Sequence, residues 1–298
     1  MRHALTERFQ NVPLSQKILL ILIATILASS LLLYAGYLVI IHANNGQLYQ
    51  TSSRMLSFAS EDISKNLSAV EEMGDSILED ENIQDALSQC MDTSENAVLQ
   101  NAHSLLYTSV NSYFQRYKAN HVNYIQIVNK EFTAMASSST SRVIPSEIQR
   151  ELILQAEEAD GHLLWVTDFS RSYGVFLVRE IKKTKNLSLE PLGTLIVNID
   201  MAGLHKNISY ANSVFPVCYA LYSGEKNLYL SDSLTGLNRE DLPSISDNSY
   251  AFSDVNGLRY LVIKGRINAT EWDYYCLASY DGLYRNTRVI QSLFLSLS

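Results

Sequence analysis

Residues 193–204 read GTLIVNIDMAGL, and residues 272–283 read WDYYCLASYDGL. Each stretch is a run of apolar and aromatic residues, which favours a β-strand, followed by an acidic residue and a Gly-Leu pair that is typical of a turn into a helix. The identity between the two stretches is weak, but their features come in the same order. They therefore indicate two copies of one structural unit.

The residues upstream of each stretch predict a similar order of elements. In the first copy they are a helix over 96–118, a hairpin over 124–136, a helix over 146–156, and strands over 163–167 and 175–182. In the second copy they are a hairpin over 217–230 and strands over 250–253 and 258–266. Helices beside hairpins and consecutive strands are typical of an α+β fold with antiparallel sheets.

An uncharged apolar run occupies residues 18–41. A helix of that length covers about 36 Å, which is enough to cross a hydrocarbon core of ~30 Å. The run is too long for the apolar part of a signal peptide, and residues 41–43 make a poor cleavage site. Basic residues precede the run, whereas the first Lys or Arg after it is Arg54. The sequence therefore predicts a transmembrane helix with a cytoplasmic N-terminus and the bulk of the chain outside.

A long stalk helix is predicted to follow the membrane segment. Its apolar residues recur every three or four positions and are Leu56, Ala59, Ile63, Leu67, Val70, Met73 and Ile77. This stripe must be buried, either against the domain that follows or against a second copy of the helix in a homodimer. The acidic run 79–81 is interpreted as a solvated part of the same helix.

The last residues, 285–298, have two basic residues followed by ten apolar or small polar ones. Ten residues cannot span a bilayer as a helix. We expect either the start of a second, truncated transmembrane helix or an amphipathic tail.

The composition excludes several classes of protein. With 47% hydrophobic residues, the chain is not disordered, and its net charge of −8 opposes nucleic-acid binding. The six histidines show no spacing suited to zinc, and neither a phosphate-binding glycine loop nor a kinase signature is present. We therefore expect no catalytic residues, no metal and no cofactor. Three cysteines, an odd number, do not make a disulfide framework in a chain of this length.

This arrangement resembles the double Cache sensor domain, the PAS-like extracellular part of bacterial transmembrane receptors. The segments that carry the resemblance to sensor histidine kinases are residues 66–68 onward, 161–165, 192–204 and 271–275. The resemblance covers residues 12–298. It also implies that the strands of Cys218 and Cys276 are neighbours, so that these cysteines are either two buried thiols or a cross-strand disulfide. The boundaries it implies are 1–17 for a cytoplasmic N-terminus, 18–41 for the membrane helix, 42–95 for the stalk, 96–207 for a membrane-distal module, 208–284 for a membrane-proximal module and 285–298 for the second membrane helix.

The resemblance also implies a ligand site in the distal module, between its sheet and the helix that crosses it. Amino-acid-binding members carry Arg-x-Trp-Tyr-x-x-Ala on that helix. Here Arg150 and Ala156 match the spacing, but Leu152 and Ile153 replace both aromatics, which argues against an amino-acid ligand. Arg150 is then either a ligand-binding or a solvated residue.

Further candidates for ligand binding cluster around one strand end. They are Trp165, Asp168, Arg171 and Tyr173, which together offer a carboxylate, a guanidinium and two aromatic rings. Such a set can frame a small polar ligand, although a buried Trp beside surface charges has the same pattern.

The expected function is the extracellular ligand-sensing region of a receptor in the cell membrane, most simply a two-component sensor histidine kinase whose catalytic half is absent here. The alternatives are the ectodomain of a chemoreceptor or of a membrane-anchored transcription regulator, and an anchored protein-interaction module without signalling. The expected partners are a small extracellular molecule, the membrane, and a second copy of the chain.

Overall fold

We describe the protein from a computed structural model that covers residues 13–93, 95–130, 132–138, 144–184, 189–210 and 217–279. The chain divides into two compact units, Met1–Thr51 and Ser52–Ser298. The first unit contains the start of helix α1, Leu14–Glu79. Its segment Leu14–Val39 has a mean hydropathy of 2.6 and is not buried by the protein, so it is long and apolar enough to cross a membrane. The helix begins four residues earlier than the apolar run.

The second unit contains two antiparallel five-stranded sheets with the same topology. The first module comprises helices α2 (Glu81–Asp92) and α3 (Asn96–Tyr117), strands β1 (Val122–Val128) and β2 (Thr133–Ser137), helix α4 (Ser146–Glu158), strand β3 (Leu164–Val166), the one-turn helix α5 (Ser170–Tyr173), strands β4 (Val175–Lys182) and β5 (Pro191–Ile199), and helix α6 (Met201–Tyr210). The second module comprises β6 (Val217–Ser223), β7 (Lys226–Leu230), β8 (Tyr250–Val255), β9 (Leu258–Ile267) and β10 (Trp272–Ser279).

The strand orders are β2-β1-β5-β4-β3 and β7-β6-β10-β9-β8, so each element of one sheet has its counterpart in the other. The prediction of a duplicated α+β module is confirmed. In each sheet the last strand along the chain, β5 or β10, is the central strand. Because a central strand is flanked by strands on both sides, these two strands show the clearest repeated pattern in the sequence.

Helix α1 packs across one face of both sheets. The glycine at position 74 lies against Leu177 and Leu195 of the first sheet, and Leu56 lies against Gly265 of the second. The Ser64 hydroxyl accepts a hydrogen bond from the Ala269 backbone. The predicted apolar stripe is therefore buried by this chain's own modules, with every member at most 3% exposed. The stripe is not available for a homodimer.

The opposite face of each sheet has its own cover. In the first module α4 packs there, and its Leu152 and Ala156 join a core with Phe176, Val178 and Ile196. In the second module the segment 231–249 takes this place, with Leu234, Leu237 and Leu242 packed on Tyr222 and Tyr275 of the sheet. Three ion pairs join this segment to the sheet. Asp247 pairs with Lys264 and with Arg266, each at 3.3 Å, and Arg239 pairs with Asp273 at 3.6 Å.

The acidic run 79–81 is exposed at Glu79 and Glu81, as the sequence predicted, but it does not lie within one continuous helix. Helix α1 ends at Glu79, and Asp80 caps α2 by accepting hydrogen bonds from the Asn82 and Ile83 backbone. The other carboxylate oxygen of Asp80 accepts a hydrogen bond from the Tyr113 hydroxyl on α3. The break thus turns the chain back so that α2 and α3 can pack together.

The cross-strand disulfide does not form. Although β6 and β10 are paired, Cys218 lies opposite Leu277 and Cys276 lies opposite Tyr219, so the two thiols point to opposite faces of the sheet. Both are free, and burial raises the pKa of the Cys276 thiol. Residues 285–298, where a second membrane helix or a tail was expected, lie outside the described residues.

Candidate functional site

The segment between β3 and β4, residues 168–174, contributes to the lining of two cavities. It consists of a turn and helix α5, held by the backbone hydrogen bonds from Ser170 to Thr167, and from Ser172 and Tyr173 to Phe169. The segment ends at Gly174, whose φ of +85° favours glycine. A Cβ at this position would lie 3.1 Å from the Ile199 carbonyl oxygen. The backbone conformation of the segment is therefore closely defined.

A groove of about 540 Å³ opens between α4 and this segment. Its lining residues are Glu147, Ile148, Glu151, Gln155, Asp168 and Phe169. Three of them are carboxylates, of which Asp168 is paired with Lys226, so Glu147 and Glu151 are the two that favour a cationic group on a small molecule bound there. The first module's core lies beneath it, since Ile148 and Phe169 also pack on that core.

One hydroxyl in this core has no hydrogen-bond partner among the described residues. Tyr124 of β1 is 2% exposed, packs near Phe176 with ring centroids 6.5 Å apart, and leaves its hydroxyl unsatisfied. Burial raises the pKa of Tyr124, so the hydroxyl stays protonated and is available as a donor. An unsatisfied buried hydroxyl is costly and is often explained by a bound molecule or water.

A second cavity, of about 910 Å³, is a cleft between the two modules. One wall includes Arg171, Tyr173 and Asp200, and the other includes Tyr229 and Asp232. The cleft also contains Asn198 of β5, which is 3% exposed. Its amide donates to the Tyr173 carbonyl at 2.9 Å and accepts from the Asn123 amide at 2.9 Å, so its polar atoms are already used within the protein.

Several contacts join the modules around this cleft. The Ser170 hydroxyl donates to the Asn227 carbonyl at 2.7 Å, and Asp168 forms an ion pair with Lys226. On the face toward α1, the Trp165 and Trp272 rings meet edge to face with centroids 5.8 Å apart. The modules therefore touch through the 168–174 segment and through β3.

Helix α6 supplies a further contact through His205. Its ring stacks on Tyr229 of β7 and meets Tyr274 of β10 edge to face. The Nδ1 atom lies 2.7 Å from the Met201 carbonyl. Burial lowers the pKa of His205 to about 4, so the imidazole is neutral at physiological pH.

The residues predicted for ligand binding are placed in different surroundings. Asp168 lines the groove, whereas Arg171 and Tyr173 line the cleft. Trp165 donates a hydrogen bond from Nε1 to Glu71 of α1 at 2.7 Å, so it links the sheet to the stalk. Arg150 is exposed on α4 and lines neither cavity. Their role in ligand binding stays a prediction.

Sequence analysis missed Phe169, Tyr124 and His205. Phe169 adjoins the predicted cluster, and its position between Asp168 and Arg171 was a signal that it shares their surroundings. Tyr124 was treated as one of many strand tyrosines. No local signal marks His205, because its partners lie in the other module. No group of His, Cys, Asp or Glu suited to a metal ion occurs in the part of the chain that the structure describes.

Comparison with known proteins agrees with this architecture. No family model matches the chain. The chain is 21% identical over 288 residues to the sensor histidine kinase YesM of Bacillus subtilis, a match that covers 95% of this chain and 49% of the kinase. The chain thus spans about half the length of that curated relative.

Solved structures show the fold. The ligand-binding domain of the Campylobacter jejuni chemoreceptor Tlp3, in complex with L-norvaline, superposes with a TM-score of 0.54 at 14% identity, over 82% of this chain and 95% of that one. The extracellular domain of a candidate histidine kinase gives 0.56 at 11% identity, over 80% and 98%. The chain has a double Cache fold. A third structure of the same kind is the ligand-binding domain of Mlp24 with asparagine, with a TM-score of 0.53 at 10% identity, over 80% and 95%. The fold expected from the sequence is confirmed.

Proposed function

We propose that this chain is the extracellular ligand-sensing region of a membrane-anchored sensor histidine kinase. The observation that carries the proposal is a double Cache fold, with both sheets packed on one helix, in a chain similar to a sensor kinase along 95% of its length. The apolar segment Leu14–Val39 would anchor it in the cell membrane. The chain itself would be non-catalytic, and kinase activity would belong to a part of the protein beyond these residues.

The charge distribution supports one orientation. The basic residues before the membrane segment favour a cytoplasmic location for residues 1–17 and an outside location for the modules 96–207 and 208–284. The resemblance implies that the first of these modules is farther from the membrane. Protease added to intact protoplasts should degrade the second unit while an N-terminal tag stays intact. Degradation of the tag with a protected second unit would reverse the orientation.

We place the ligand in the groove between α4 and residues 168–169. The groove adjoins a core with an unsatisfied donor, and it occupies the side of the sheet on which the resemblance places a ligand. Its carboxylates Glu147 and Glu151 favour a small molecule with an ammonium or guanidinium group. The structural neighbours Tlp3 and Mlp24 were solved with amino acids bound. In this chain Leu152, which replaces an aromatic residue of the amino-acid motif, is fully buried in the core.

Binding would act by differential affinity. A ligand that prefers one arrangement of α4 and the 168–174 segment shifts the protein toward that arrangement, whereas a ligand with equal affinity for both shifts nothing. The change would reach the membrane through α1, which both sheets contact, or through the second module.

Thermal unfolding tests the proposal. The full chain in lipid nanodiscs is melted with panels of amines, amino acids, organic acids and sugars. A cationic compound should raise the midpoint, because binding to the folded state stabilises it. Glu151→Gln should reduce that shift, while Glu157→Gln, an exposed change on the same helix outside the groove, should leave it intact. No shift with any panel, or equal shifts in both variants, would contradict the proposed site.

Two further proposals concern partners and output. If the chain forms a homodimer through the stalk, it must use the outward side of α1, where Phe58 is 69% exposed. Disulfide cross-linking of Phe58→Cys in membranes tests this. Because chemoreceptor domains share the fold, a chemoreceptor output is the second candidate, and the reading frame that follows codon 298 distinguishes the two.

A further inference from the structure

Residues 168–170 are in contact with the groove and with the second module at the same time. Asp168 and Phe169 line the groove beside α4. Asp168 is also paired with Lys226, and Ser170 is bonded to Asn227, both on β7. Three consecutive residues thus join the proposed ligand site to the hairpin formed by β6 and β7.

The attachment on the first module is apolar. Phe169 packs on the core beneath α4 and meets Phe176 edge to face, with ring centroids 6.4 Å apart. Ile148 of α4 borders both the groove and this core. A molecule that fills the groove would lie against Phe169 and Ile148, and so would bear on the position of Phe169.

The attachment on the second module is polar. The ion pair from Asp168 to Lys226 involves side chains that are 43% and 52% exposed, so by itself it contributes little. The Ser170 hydroxyl adds a hydrogen bond to the Asn227 backbone, which holds the strand and not merely a flexible side chain. The two contacts are adjacent and together fix the hairpin to the segment.

The two attachments are consecutive in one hydrogen-bonded turn. The turn is closed by hydrogen bonds from the Ser172 and Tyr173 amides to the Phe169 carbonyl, of 3.1 and 2.9 Å. The close approach at Gly174 restricts substitution at its C-terminal end. A shift of Phe169 would therefore also displace Ser170, its neighbour in the turn.

The other contacts between the modules do not involve residues that line the groove. Trp165 with Trp272, and His205 with Tyr229, also join the modules, but none of these four residues lines the groove. Of the contacts between the modules described above, those of residues 168–170 alone involve the groove.

We propose that residues Asp168–Tyr173 form a coupling element that links occupancy of the groove to the stability of the β6–β7 hairpin. This inference rests on the proposed ligand-sensing function and specifies how its site would be connected to the second module. Coupling between two sites is reciprocal, so a change in the stability of the hairpin must also change the stability of α4.

Hydrogen exchange of the full chain in lipid nanodiscs, without any ligand, tests the coupling. Phe169→Ala should raise the exchange rate of β7 amides Lys226–Leu230 by about tenfold, because the hairpin loses its fixed neighbour. Met135→Ala is the matched control, since Met135 packs on the same core from β2. It should leave β7 exchange unchanged. Unchanged exchange in Phe169→Ala, or an equal rise in the control, would overturn the proposal.

A second variant covers the case in which Phe169→Ala unfolds the first module. Ser170→Ala removes the hydroxyl that donates to the Asn227 carbonyl and should raise the exchange rate of the β7 amides, whereas Ser172→Ala, an exposed change in the same turn, should not. Equal β7 exchange in Ser170→Ala and Ser172→Ala would overturn the proposal. Because no ligand is used, these outcomes are independent of the ligand panels, which test the sensing function itself.

Discussion

His205 of α6 stacks face to face on Tyr229 of β7, with ring centroids 3.7 Å apart and an interplanar angle of 8°. The helix that leaves the first module is thereby docked on the second by a neutral, buried imidazole. The junction between the modules thus contains a histidine, His205, that is buried in its neutral form and whose protonation is disfavoured by that burial.

Stability should fall in acid because of His205. Its pKa is lowered from 6.5 to about 4 in the folded protein, so between these values the unfolded chain binds a proton that the folded chain does not. The associated stability is present above pH 6.5 and is lost as the pH falls toward 4, by on the order of 3 kcal/mol. Between pH 7.5 and 4.5 the thermal midpoint of the wild type should fall by more than that of His205→Phe.

The exposed His162 provides the control. His162→Gln should keep the pH dependence of the wild type. If His205→Phe shows that same dependence, the histidine is not responsible for it.

Glu71 should matter more than its neighbour Glu72. Glu71→Ala removes the acceptor of the Trp165 Nε1 hydrogen bond in a partly buried contact, which should cost about 1–3 kcal/mol. Glu72→Ala changes an exposed side chain and should cost less than about 0.5 kcal/mol. Urea unfolding of both variants measures the difference, and equal midpoints would show that the bond contributes nothing.

Substitutions in the apolar stripe of α1 should destabilise the protein as substitutions in the hydrophobic core of a single chain do. Leu67→Ala creates a cavity in a fully buried position and should destabilise the protein by about 2–5 kcal/mol. Phe58→Ala removes a larger side chain from the outward side and should have little effect on unfolding of the monomer. If the loss of stability in Leu67→Ala depends on protein concentration, Leu67 packs between two chains, and its burial within one chain is contradicted.

Substitution of Gly174 should be more costly than that of Gly224. Both have positive φ, but a Cβ at 174 would approach a carbonyl oxygen, whereas nothing lies within 4 Å of one at 224. We expect Gly224→Ala to cost about 1–2 kcal/mol and Gly174→Ala clearly more. Chemical denaturation gives the comparison, and a smaller cost at 174 would mean that the coupling element tolerates local rearrangement.

Much of the fold follows from local pattern. Strand β4 has the predicted bounds, 175–182, because a long apolar run between turn residues leaves few alternatives. The helix break at Asp80 was missed, since an acidic triplet on a helix has the same pattern whether it is solvated or forms a cap. The four residues of α5 are too few for a helical period to show in the sequence.

The candidate site was less predictable, because its geometry depends on contacts between distant residues. Asp168, Arg171 and Tyr173 were singled out as one cluster, but the turn at Phe169 directs them toward two cavities. A register difference of one residue separates the thiols of Cys218 and Cys276, and the sequence alone does not specify that register.

The central claim, a ligand held by the first module between α4 and the 168–174 segment, is tested most directly by hydrogen exchange with a compound that raises the thermal midpoint. With that compound present, amides of Ser146–Glu158 and of residues 168–174 should exchange more slowly, while the cover of the second sheet, residues 231–249, should be unchanged. Protection confined to residues 231–249, or to neither region, would contradict the account.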